Sequence, residues 1–68
     1  MHKSKALYFV SFCIEAYKMR HQLLGSEVLK KFEQFGVIDY LLMNYKVLHT
    51  LSEQNIVDDI DEFILSKQ

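Results

Sequence analysis

A chain of 68 residues has room for one domain, and such a domain buries only about 60% of the surface its unfolded form exposes. Half of its residues are nonetheless apolar or aromatic, while a formal charge of −1 leaves no basic footprint of the kind that holds nucleic acid. The single Cys13 excludes an internal disulfide framework and suits a reducing cytoplasm, and no stretch reaches the roughly 18 apolar residues that cross a bilayer.

The first element runs from Ser4, as N-cap, to about Gln22. Its apolar run Ala6–Ile14 follows Lys3 and Lys5, which raises a signal sequence, and Leu, Tyr, Phe, Val and Ile in succession raise a buried strand. Neither fits what surrounds it. Ser11 interrupts the run, Glu15 ends it with no small-residue cleavage site, and Ser4, Tyr8, Ser11, Glu15, Lys18 and Gln22 recur every three or four residues as one side of a helix. Glu15 and Lys18 can pair across one turn.

Gly25-Ser26 supplies a break and a cap, with Glu27 in the first turn of a second helix where the dipole favours an acid. Val28, Leu29, Phe32 and Phe35 follow at helical spacing, and Gly36 gives the left-handed stop. A third helix spans Val37 to Leu48. It is apolar on most sides, which predicts the central, most buried element. Ser52 caps a fourth helix with Ile56, Val57, Ile60, Phe63 and Ile64 inward and Asp58, Asp59, Asp61 and Glu62 outward. The pattern predicts an all-α fold, one compact bundle of four short helices forming a single domain over residues 1–68.

Charge is unevenly divided. Residues 1–31 carry six Lys/Arg against two Glu, and residues 32–68 carry two Lys against seven Asp/Glu. Such halves can pair within the fold, pair head to tail, or steer a partner, but ordinary solvated faces weigh more because surface ion pairs are weak.

Candidate chemistry is sparse. Cys13, His21, His49 and the N-terminal His2 lack the paired spacing of a zinc site. Cys13 among Val10, Phe12 and Ile14 reads as a buried, inert thiol, and His49 as a cap on free helix-end carbonyls. The run Asp58–Glu62 has neither the alternation nor the glycine of a calcium loop, so it reads as a solvated face first and an acidic partner patch second. The helix–Gly36–helix unit offers only Lys46 on its would-be recognition helix, which argues against DNA. No phosphate-binding loop, nucleophile elbow or cofactor signature is present.

The order Phe12-Cys13-Ile14-Glu15 with Tyr17, then Phe35 to Leu41, then Tyr45, Leu48-His49-Thr50 and Ile56-Val57-Asp58-Asp59-Ile60 resembles a family of short bacterial proteins known only as a domain of unknown function. The resemblance extends from about Phe9 to Ile64. It departs at Leu51–Asn55, where a glycine-containing turn would be expected. Members of that family are often encoded beside larger proteins resembling ADP-ribosyltransferase toxins, which implies an antitoxin or accessory role by association. No functional residue transfers with it; the recurring Asp39, His49 and Asp58 fit either structural caps or an interaction surface.

The leading expectation is therefore a cytoplasmic protein-interaction module without enzymatic activity or cofactor, binding neither nucleic acid nor membrane. Because the first helix is apolar around most of its circumference, it should keep an exposed patch of Phe9 and Phe12 with Tyr8 at the rim, serving a homodimer or a protein partner, with the acidic face of Asp58, Asp59, Asp61 and Glu62 adjusting specificity. The alternative is a small ligand-binding or enzymatic domain with Tyr17, Tyr40, Tyr45 and His49 around a pocket; a DNA-binding regulator ranks third.

Overall fold

Local capping chemistry sets most helix ends in the computed structural model, which describes residues 4–68; His2 and Lys3 lie outside that range. Helix α1 (Lys5–His21) opens on Ser4, whose Oγ accepts from the Leu7 N–H at 3.1 Å. It closes at Gln22, which adopts a left-handed conformation (φ 54°) and donates its N–H to the Lys18 carbonyl. Lys18, Arg20 and His21 occupy the last turn, where the helix dipole favours positive charge. The expected polar stripe is present, with Ser4, Ser11, Glu15 and Gln22 exposed and Lys18 Nζ 3.5 Å from Glu15.

Helix α2 (Gly25–Phe35) begins two residues earlier than a cap at Ser26 implies. Leu24 is the capping residue, and because leucine offers no acceptor the end is secured from inside the helix: the Glu27 carboxylate accepts the Leu24 N–H at 2.8 Å. Gly36 at φ 70° ends α2 as expected and leads directly into the next helix.

The single helix expected over Val37–Leu48 forms as two, α3 (Val37–Met43) and α4 (Tyr45–Leu48). The break falls at Asn44 (φ −111°, ψ 17°), whose side-chain amide donates to the Tyr40 carbonyl at 2.8 Å. An Asn side chain that competes for backbone acceptors in this way loosens a helix from within. His49 then ends the segment, its Nδ1–H donating to the Tyr45 carbonyl at 2.7 Å, beside Thr50 Oγ1 donating to the Val47 carbonyl at 2.7 Å. Helix α5 (Glu53–Lys67) starts at Ser52, whose Oγ accepts from the Asn55 N–H at 3.2 Å. The turn at Leu51–Ser52 thus works without a glycine.

Among the described residues the all-helical bundle stands, with five helices in place of four and a different centre. Helix α1 packs against α2, α3 and α5, and its Phe9, Val10, Cys13, Ala16 and Tyr17 form the middle of the core. Val28 and Phe32 reach it from α2, Val37 and Leu41 from α3, Leu48 from α4, and Ile56, Val57, Ile60 and Ile64 from α5. Tyr17 meets Phe32 edge-on with centroids 5.2 Å apart, and Phe9 meets Tyr45 likewise at 5.4 Å. Each such side chain contributes roughly 1.5–3 kcal/mol by leaving water. The Val37–Leu48 segment is peripheral instead, since only one side of it meets α1, α2 and α5. Met43 on its outer side is 85% exposed. No helix among the described residues is long and apolar enough to cross a membrane.

Candidate functional site

Helix α1 separates its large apolar residues onto two faces. Phe9, expected in the exposed patch, is a core residue at 8% exposure, because its spacing of four and seven residues from Cys13 and Ala16 puts it on their buried side, against Tyr45. Phe12 is 43% exposed and Met19 is 72% exposed. With Tyr8 and Glu15 they recur at intervals of four, three and four residues, which places them on one strip along the outward side of the helix. Leu7 is exposed at the N-terminal end, where it lines a shallow depression of about 400 Å³ with Tyr8, Val10 and Ser11. At the other end Met19 borders a larger cleft of about 610 Å³, floored by Ala16 and Val57 and walled by Arg20, Gln54 and Asp58. Met19 was not expected in the patch, although its spacing from Tyr8 and Phe12 was the available signal.

The acidic residues of α5 are less free than an outward solvated face would be. Asp58 accepts from Arg20 Nη1 at 2.9 Å, and Arg20 Nη2 donates to the Gln54 carbonyl at 3.3 Å. Asp61 lies 2.9 Å from His21 Nε2. Asp59 faces α3 and accepts from the Tyr40 hydroxyl at 2.5 Å. Three of the four acids are thus tied to α1 or α3, and only Glu62 keeps the open, solvated position expected of all four. The charge asymmetry between the two halves of the sequence is in part resolved inside the fold: the basic end of α1 lies against the acidic side of α5. The seven expected site residues therefore do not form one surface. Tyr8 and Phe12 share the α1 strip, Phe9 belongs to the core, and the acids are distributed around α5.

The aromatic set of the alternative reading is also dispersed. Tyr17 packs on Phe32 and His21, Tyr40 stacks on Phe63 at 4.1 Å, and Tyr45 stacks on His49 at 4.6 Å. These are three separate packing arrangements, and none of the four residues lines either depression. Burial pushes the Tyr40 hydroxyl up to about 12, reinforced by the hydrogen bond and charge of Asp59 and by the charge of Glu62. Tyr17 is raised by burial, with Lys31 opposing and Asp61 adding to the rise. Burial also pushes the Cys13 thiol up to about 12, so the residue is a buried, protonated thiol as its neighbours implied. Among the described residues, no three His, Cys, Asp or Glu side chains converge as a metal centre requires.

No curated protein and no solved structure matches the chain. A family model described as "Protein of unknown function (DUF3791)" matches residues 8–67, nearly the whole length, and the chain belongs to that family.

Proposed function

We propose that this chain is a protein-binding module that docks a partner through the outward strip of α1. The observation that carries the reading is the exposure of Phe12 and Met19 on a strip of α1 that runs beside its buried face and points away from Cys13 and Tyr17. A helix that turns aromatic and thioether side chains to both sides has one side covered by its own fold and one left for another molecule. Phe and Met are among the residue types enriched at protein interfaces. A strip repeating every three to four residues also suits an amphipathic helix laid along it. The family resemblance suggests a specific form of the role, neutralising or assisting an ADP-ribosyltransferase-like toxin encoded nearby.

The test uses Phe12→Glu and Met19→Glu, with Val47→Glu as a control at an exposed apolar residue off the strip. Sedimentation velocity over a wide concentration range reads self-association, and a photo-crosslinking residue at position 12 reads partners in the native host. Loss of either association in the two α1 variants, and not in Val47→Glu, supports the reading. A chain that stays monomeric and whose crosslinks from position 12 match those from position 47 overturns it. Co-expression with a toxin-like neighbour tests the specific form: wild type, and not Phe12→Glu, should relieve toxicity.

A further inference from the structure

We draw no further inference here: the strongest candidate, the exposed apolar side chains of Leu42, Met43, Val47 and Leu51 along α3, α4 and the turn after them, is an unpartnered face, and nothing in the structure shows what covers it.

Discussion

Cys13 and Tyr40 show how burial sets the chemistry of single groups in this chain, alone at the thiol and with Asp59 and Glu62 beside it at the phenol. The thiolate is the reactive form of cysteine, and the core around Cys13 disfavours it. A thiol reagent should therefore label the native protein at least about a hundredfold more slowly than the urea-unfolded chain, since reaction must wait for opening. Rapid labelling under native conditions would contradict this. Cys13→Ser should cost more stability than Cys13→Ala, because it buries a hydroxyl without a partner at about 1–3 kcal/mol. The raised values also fix a pH dependence. Unfolded, Cys13 and Tyr40 ionise near 9.0 and 10.0; folded, both do so at about 12. Within that window the folded chain holds protons that the unfolded chain releases, so the contribution of these two groups is constant below about 9 and stability falls as pH rises toward 12. Urea midpoints measured across this range should show the fall. Tyr40→Phe should start from a lower value, having lost the hydrogen bond to Asp59, and should then decline less steeply above pH 10. Equal slopes for Tyr40→Phe and wild type would remove Tyr40 from the explanation.

At the level of helices, both glycines fall where helices break, and only one of them needs to be a glycine. Gly36 sits at φ 70°, which an L side chain adopts only with strain, whereas Gly25 has no positive φ and is the first residue of α2. A Cβ would meet nothing within 4 Å at either position, so packing does not decide between them. Gly36→Ala should destabilise by roughly 1–2 kcal/mol from backbone strain alone. Gly25→Ala should be neutral or stabilising by up to about 1 kcal/mol, because the unfolded chain loses freedom. The left-handed residue that does end α1 is Gln22, and Gln22→Gly should stabilise the chain by relieving the same strain. Thermal or urea unfolding of the three variants checks the order, and Gly25→Ala less stable than Gly36→Ala would refute it. Boundaries written in capping residues, at Ser4, Gly36 and Ser52, were legible in the sequence because the signal is local. The start of α2 and the break at Asn44 were not. Each is settled by one side chain bonding the backbone, Glu27 to Leu24 and Asn44 to Tyr40, and neither residue type dictates that bond.

The molecule as a whole decides which apolar residues are core, and here the sequence carried the weaker signal. Helix α1 has Leu7, Tyr8, Phe9, Val10, Phe12, Cys13, Ile14 and Ala16 on nearly every side, so its own periodicity does not say which face α2, α3 and α5 will cover. That choice follows from where Phe32, Leu41 and Ile60 arrive, which is a property of the assembled bundle. The expectation that α1 keeps an exposed apolar patch holds at Tyr8 and Phe12, and the assignment of Phe9 to that patch does not. The two phenylalanines, three residues apart, thereby become a direct test of the arrangement. A chain of this length has roughly 3–10 kcal/mol of total stability. Removing a buried phenylalanine costs about 3–5 kcal/mol, so Phe9→Ala should bring the protein close to unfolding, with Tyr45 losing its edge-on neighbour. Phe12→Ala should shift stability by less than about 1 kcal/mol, as for a surface position. Circular dichroism through a urea titration measures both. If the two substitutions cost the same, the division of α1 into a core face and an outward strip is wrong. If they differ as expected, Phe12 can be changed without unfolding the chain, and any loss of association on changing it belongs to the surface.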